Sequence, residues 1–496
     1  MQELVMPKFN WSGALRGAAA AGMLMSCLGG GLSAFAQGGR TLHPPDRVAL
    51  KADVPPAPAG DTADSLENGE KKEIPSKDEG KVVPAVEEEK QVEVPTCDFL
   101  QRLFDDSNGH NYLDDYGLKL HGWVGQSFTF NPDRPDTRTN GPVSFTDRAN
   151  EYQLNQVYLI FERVLDQTKE DIQFGGRVDA LFGSDYFFTT SRGLELEQDG
   201  TQRWNSQDGP NRTVFGPDNG RLHGFALPQG YAEIAGYNSS VKIGHFYTIL
   251  GFDVVADPQN FFATHSYAFQ YGEPFTHTGI LWNYKLNDNW SLNNGIVQGW
   301  DNTDDTNDTK SYIGGVNYDN KETGTSIAVE VIHGEERLVF DGTSDRRGDR
   351  TLYTVMLKQN LTDKWTWIIQ HDRGSQQAAV ARPDGTFQKA EWYGVNNNLH
   401  YQINDKWKVG GRYEWFRDDD GFRVLRDGEG ADYHAVSLGL NWKMMDCVML
   451  RPECRYDWAS KSGNRPFDLA DNPAGGTPIG TKGHQFLFTT DLVITY

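Results

Sequence analysis

The chain's 496 residues carry a formal net charge of −22, 53 glycines and 12% aromatic side chains, which leaves room for two or three soluble domains or for one large sheet. A mean hydropathy of −0.61 excludes a bundle of transmembrane helices, and past the first forty residues no run of 18 apolar residues occurs. The acidic balance, with no basic stripe interleaved with aromatics, argues against nucleic acid as a partner.

Residues 1–36 read as an export signal. Lys8 and Arg16 supply positive charge, and the small, apolar run GAAAAGMLMSCLGGGLSAFA closes on Ala34-Phe35-Ala36, an A-x-A cleavage pattern. Lipoprotein processing at Cys27 is the alternative, and the Met before Ser26 fits it poorly. Residues 37–95 are rich in Pro, Glu, Lys and Val without period, as in VPAVEEEKQVEVP. Such a segment buries too little apolar surface to offset ordering, so it reads as a disordered acidic tether in the periplasm. Residues 96–116 form a lead-in whose stretch TCDFLQRLF sets Phe99, Leu100, Leu103 and Phe104 on one helical face. That pattern predicts a short amphipathic helix that packs on, or plugs, the larger C-terminal region.

From residue 117 to 496 the period is two. In DIQFGGRVDALF, Ile172, Phe174, Val178, Ala180 and Phe182 oppose Asp171, Gln173, Arg177 and Asp179. In WKVGGRYEWF, Trp407, Val409, Tyr413 and Trp415 oppose Lys408, Arg412 and Glu414, and in VMLRPECRYDW, Leu450, Cys454, Tyr456 and Trp458 oppose Arg451, Glu453, Arg455 and Asp457. Side chains alternate across a strand, so each segment has an apolar and a polar face. A soluble sandwich would bury the apolar face against a second sheet; an outer-membrane barrel would turn it to lipid.

Three features favour the barrel. The segments run about 9 to 12 residues, the length a tilted strand needs to cross a bilayer. Aromatics sit at segment ends, as expected of headgroup-level girdles: Trp290, Trp300, Trp365, Trp367, Trp392, Trp407, Trp415, Trp442, Trp458 and Tyr496. Connections among roughly sixteen candidate strands alternate short and long. Short ones are YNSS, LNDN, DNKET, LTDK, INDK and KMMD; long ones span 131–151, 183–229, 248–274, 334–350, 374–390, 417–431 and 459–484. The repeated turns LNDNW, LTDKW and INDKW read as tight periplasmic hairpins, each with a Trp opening the next strand. In HQFLFTTDLVITY, Phe486, Phe488, Leu492, Ile494 and Tyr496 share a face, a strand able to close on GLKLHGWVGQSFTF near residue 120. Pro452 removes a ladder donor within a strand and predicts a bulge.

The cysteines beyond the signal, Cys97, Cys447 and Cys454, are odd in number and give no complete disulfide framework. Cys447 and Cys454 lie seven apart, on opposite faces of a strand, and cannot bridge each other. Incidental thiols are expected, and no metal or cofactor. DNTDDTND (Asp301 to Asp308) has alternating oxygen ligands but lacks the turn Gly and closing Glu of a calcium loop, so it reads as a solvated loop.

NQVYLIFERV (Asn155 to Val164), the long stretch from Leu227 to Leu281 and QGWDN (Gln298 to Asn302) resemble the OmpL-like β-barrel porins of bacteria. The likeness is strongest from Ala226 to Asn302 and absent from the acidic tether. It implies an all-β, single antiparallel transmembrane barrel acting as an outer-membrane channel, with no catalytic residues. Passive diffusion of small hydrophilic solutes through a water-filled lumen is the expected function. Trimers in outer-membrane lipid fit the resemblance, although no interface is legible in the chain. A secreted soluble sandwich or carbohydrate-binding protein is the alternative, and a barrel-borne enzyme a further one.

Charges are expected to point inward, because a Lys or Arg facing hydrocarbon costs about 2–4 kcal/mol at the midplane. The candidates are Lys119, Arg177, Asp179, Glu233, Lys242, His245, Glu330, Lys358, Asp372, Arg412, Glu414, Arg451, Glu453, Arg455 and Asp457. Most are expected to brace the wall. The third external loop, residues 248–274, holds Phe252, Phe261, Phe262, Tyr267, Phe269 and Tyr271 with few charges. So apolar a loop is unfavourable in water. It is expected to fold into the lumen and narrow it, with His265, Gln270 and Glu273 facing solute.

Overall fold

The computed structural model describes residues 97, 99–205, 222–338, 346–381, 385–460, 465–470 and 479–496. The expected signal, Cys27 and the acidic tether lie outside the described residues. The lead-in holds α1 (Phe99–Arg102), and the first strands are β1 (Lys119–Phe130), β2 (Tyr152–Arg163), β3 (Gln173–Gly183), β4 (Gly224–Gly236), β5 (Ser239–Tyr247) and β6 (Thr276–Lys285). Next come β7 (Trp290–Val297), β8 (Ser311–Asn320), β9 (Thr325–Arg337), β10 (Arg347–Asn360), β11 (Trp365–Ala381) and β12 (Phe387–Asn404). The last are β13 (Trp407–Asp418), β14 (Ala431–Met445), β15 (Val448–Ala459), β16 (Phe467–Ala470), β17 (Ile479–Lys482) and β18 (His484–Thr495).

Each strand from β1 to β15 pairs antiparallel with its neighbour in sequence, and β18 joins β15 to β1. Among the described residues sixteen strands thus close one barrel, with β16 and β17 a separate hairpin in the last long loop. A single sheet closed on itself rules out the sandwich alternative.

The alternation read from sequence becomes an outer and an inner surface. Leu438, Phe174 and Ile296 on the outer face are 64%, 62% and 60% exposed, an arrangement unfavourable in water and suited to acyl chains. Arg177, Asp179, Arg412, Glu414, Arg455 and Asp457 on the inner face are buried.

Register is pinned by the short turns. In the three LNDNW-type turns a side-chain oxygen three residues before the Trp caps the turn. Asn287 Oδ1 accepts from the backbone N–H of Trp290 at 3.0 Å, Thr362 Oγ1 from that of Trp365 at 3.0 Å and Asn404 Oδ1 from that of Trp407 at 3.2 Å. The turn aspartates sit at the tips, and the capping is done by the residue before each. The Trp then packs across strands: Trp290 on Tyr318, Trp365 on Tyr401, and Trp407 stacked on Trp442 with centroids 4.9 Å apart.

Three expectations are corrected. Cys97 and Cys447 form a disulfide across 350 residues, with Cα atoms 5.6 Å apart; spacing along the chain cannot reveal a partner so distant. Among the described residues only Cys454 is a free thiol. Pro452 causes no bulge. The β15–β18 ladder runs through it, opposite Thr490, and on the β14 side the pairs at Leu440 and Asn441 drop out with the register unchanged. A proline lacks one donor, and here losing one edge of the ladder suffices. The expected short helix is present as a single turn, with Leu100 buried and Phe99 exposed, and its Gln101 side chain bonds Leu118 O and the β1 amide of Leu120. The connections expected at 334–350 and 374–390 are shorter, because β9 runs to Arg337, β10 starts at Arg347, β11 runs to Ala381 and β12 starts at Phe387.

Candidate functional site

The third long loop, between β5 and β6 and here called L3, spans 248–275 and lies inside the barrel. It bonds to walls on opposite sides: Val255 O accepts from Gln156 of β2 at 2.7 Å, and Phe252 N–H donates to Gln370 of β11 at 2.7 Å. Local chemistry shapes it first. Pro258 sits at the start of a 3-10 turn, Asp257–Gln259. The Asn260 side chain then closes a loop on Val254, accepting from its N–H at 3.0 Å and donating to its carbonyl at 2.6 Å.

The wall charges next clamp it. Arg451, paired with Asp491 of β18, donates to the Asp257 and Asn260 carbonyls at 2.7 and 2.6 Å. Arg412 donates to Thr264 O at 2.7 Å, and Glu453 accepts from Thr264 N–H and Oγ1 at 3.0 and 2.5 Å. Arg455 donates to His265 O at 2.9 Å and pairs with Glu414 at 3.0 Å and Asp457 at 2.8 Å. Glu414 accepts from the Tyr267 N–H, and Asp457 from the Tyr267 hydroxyl. Ions so buried persist only when paired and hydrogen-bonded. Here the loop backbone completes their shells.

The aromatic residues of L3 fill the remaining space. Phe261 stacks on His400 at 4.2 Å, Phe262 lies under the Arg412 guanidinium at 4.7 Å, and Tyr267 meets Tyr433 at 5.4 Å. Tyr271 donates its hydroxyl to Pro142 O at 2.5 Å. Two polar expectations for this loop are corrected. His265 is buried between Phe145 and Phe269, its Nε2 3.0 Å from Val254 O, and Glu273 is buried against Gln370, accepting at 2.6 Å. A loop this tightly clamped turns its polar atoms to the wall. Gln270 alone of the three stays half-exposed.

The other inward candidates fall into smaller groups. Arg177 bridges Asp179 at 2.7 Å and Glu162 at 3.2 Å. Lys119 stands opposite Glu162, and Glu233 opposite Lys242. Asp372 accepts from Thr354 and Gln370, Glu330 is buried opposite Thr354, and Lys358 is inward opposite Ser326. His245 is corrected. It has the strand parity of Val241 and Ile243, opposite Gly230 and Thr278, but is buried at the end of the β4–β5 ladder with its Nδ1 2.7 Å from Thr278 Oγ1, so it lines no passage. The Asp301 carboxylate accepts from the Phe275 and Thr276 amides, both at 2.9 Å, which leaves it committed within the fold.

Trp290, Trp365, Trp367, Trp407, Trp415, Trp442, Trp458 and Tyr496 lie on the outward parity near strand ends. Trp300 and Trp392 do not. Trp392 is inward and wholly buried, its Nε1 donating to Gly272 O at 3.0 Å, and Trp300 is buried beside it. A signal exists in the sequence: in EWYGVNNNLHY, Trp392 alternates with Asn396 and Asn398, not with Tyr393 and Leu399. Asp491 is an inward residue that sequence reasoning missed, although the alternation that turns Leu492 outward turns it inward.

No curated protein sequence matches the chain. Among solved structures, the outer membrane channel DcaP of Acinetobacter baumannii is similar at TM-score 0.48 and 12% identity, covering 79% of this chain and 99% of that one. An anion-selective porin from Comamonas acidovorans gives 0.47 and 11%, over 76% and 99%. Salmonella typhi OmpF in complex with daunomycin gives 0.46 and 12%, over 76% and 97%. The family model described as "Putative beta-barrel porin-2, OmpL-like" matches residues 117–496, the whole barrel. The chain belongs to the OmpL-like β-barrel porins, outer-membrane channels.

Proposed function

We propose that this porin lets small hydrophilic solutes diffuse passively across the outer membrane through an interior narrowed by L3. The observation that carries the reading is the clamp: L3 is bonded to wall residues on both sides of the barrel through Gln156, Gln370, Arg412, Arg451 and Arg455. Geometry and field then do the selecting. Phe261, Phe262, Tyr267 and Tyr271 set the bulk of the obstruction, and half-exposed Gln270 is the loop's polar contribution to the passage. The inward charges not covered by L3, Lys358 and Lys242 among them, bias what enters.

In this reading the chain is a channel and not an enzyme. The N-terminal signal delivers it, the acidic tether lies in the periplasm, the outward tryptophans form girdles at the two headgroup levels, and copies associate as trimers. Liposome swelling with neutral sugars of graded size tests the function. Wild-type vesicles should swell with the smallest sugars and exclude larger ones, and removing Asn260 to Gln270 should admit larger sugars. Identical cut-offs in a heat-modifiable, folded deletion variant would overturn the role of L3.

A further inference from the structure

Beyond L3, on its long-loop side, two strands and two connections bring two indoles and two guanidinium groups together. Trp300 follows β7, Arg350 is inward near the start of β10, Trp392 is inward on β12, and Arg423 lies in the β13–β14 connection. The Arg350 guanidinium carbon is 4.7 Å from the Trp300 ring centre, and that of Arg423 is 5.4 Å from Trp300 and 4.9 Å from Trp392. The indoles meet edge to face at 6.2 Å. Gly374 makes room for the Trp392 ring, since a Cβ there would lie 2.0 Å from it.

The donors of this cluster are incompletely used. Trp300 is 4% exposed, yet its Nε1–H has no acceptor among the described residues. Arg350 donates Nε to Gln376 and Arg423 donates Nε to Tyr271 O. The terminal amino groups of both have no acceptor among the described residues, and both side chains are half-exposed. The nearby carboxylates are turned elsewhere. Asp301 accepts from the Phe275 and Thr276 amides, Glu336 from the Trp300 amide at 2.9 Å, and Asp418 from the amides of Phe422, Arg423 and Val424. The charges of Arg350 and Arg426 oppose that of Arg423, and those of Asp418 and Asp301 offset them in part. A guanidinium keeps its proton at any ordinary pH, so Arg350 and Arg423 both stay cationic beside the site.

We propose that Trp300, Arg350 and Arg423 form a binding site for the oxyanion group of a small solute, a carboxylate or a phosphate, on the outer side of L3. The site offers two guanidinium forks and an indole N–H, all donors, and planar forks suit the two oxygens of either group. Trp392 holds Arg423 in place by its ring face. Past L3, Lys358 and Lys408 also face inward with no carboxylate within 4.0 Å among the described residues, so an anion released from the site meets further cations on the same side of the wall. This inference rests on the channel reading and adds a solute class to it.

The test is isothermal titration of the full-length protein in detergent micelles with sodium phosphate, with sodium succinate and with choline chloride, beside single-channel recording of the same preparation in KCl. Wild type should bind phosphate or succinate, and which of them binds names the source of the oxyanion; choline should give no binding heat. R350Q and R423Q should each weaken binding about tenfold, the effect of losing one charge-assisted hydrogen bond. W300F should weaken it severalfold, and so should R423K, which keeps the charge but loses the planar fork and its stacking on the indoles. Heat-modifiable migration checks that each variant is folded, and R423Q, in a loop, keeps the test available should R350Q fail to fold. No anion binding by wild type, or equal binding by wild type, R423Q and W300F, would overturn the site and leave the stacked arginines as wall braces. Conductance in KCl that persists in that case leaves the channel reading standing, whereas a preparation without conductance sinks that reading instead.

Discussion

Replacing Arg451 with alanine removes one partner of the buried Arg451–Asp491 pair and both donors to the Asp257 and Asn260 carbonyls. The largest cost is the carboxylate left behind: Asp491 is only 4% exposed, and stranding a buried ion costs about 3–5 kcal/mol. The freed carbonyls add toward the low end of about 1–3 kcal/mol each, because water can follow the loop as it lifts. The R451A/D491A double variant removes the stranded charge, so it should be more stable than the two single losses predict, with a coupling of about 1–3 kcal/mol. Urea unfolding in lipid vesicles, followed by tryptophan fluorescence and gel migration, gives the three stabilities. Single-channel conductance of R451A should also rise, because the 3-10 turn of L3 is no longer held to the wall. Single effects that add within about 0.5 kcal/mol in the double variant, with conductance unchanged, would refute the clamp.

Trp392→Ala should cost about 3–5 kcal/mol, as expected for a large buried ring whose neighbours cannot close the gap, measured by the same unfolding assay. Gly374→Val should block the Trp392 position and mimic that loss in the same assay, since the ring already occupies the space of a Cβ. Leu438→Arg places a charge on the outer face mid-strand and should lower stability in vesicles by about 2–4 kcal/mol; a neutral effect would argue that this face does not meet lipid. Maleimide-polyethylene glycol should label Cys97 and Cys447 only after reduction, read as a gel shift of the denatured protein. Labelling of both before reduction would contradict the disulfide.

The wall is legible in the sequence because its two faces obey strand parity, and the lipid argument needs only which residues alternate. Arg412, Glu414, Arg455 and Asp457 are placed inward by that rule alone, and the inward course of L3 follows from its run of aromatics. What parity cannot show is partnership across the barrel. His265 and Glu273 are expected from sequence to face solute, but Val254 and Gln370 take their polar atoms, contacts set by how the loop crosses the interior. Trp300 and Trp392 group with the outer aromatics by their nearness to segment ends; parity places Trp392 inside, and Trp300 lies beyond the last residue of its strand. The pairing of Cys97 with Cys447 depends on where the lead-in meets the rim, which no local pattern encodes.

The most direct test is planar-bilayer recording of the purified protein beside the variant lacking Asn260 to Gln270. The account predicts stepwise, ohmic openings for wild type and larger steps for the variant. Insertion without any current, or steps of equal size from both folded proteins, would contradict a water-filled barrel narrowed by L3.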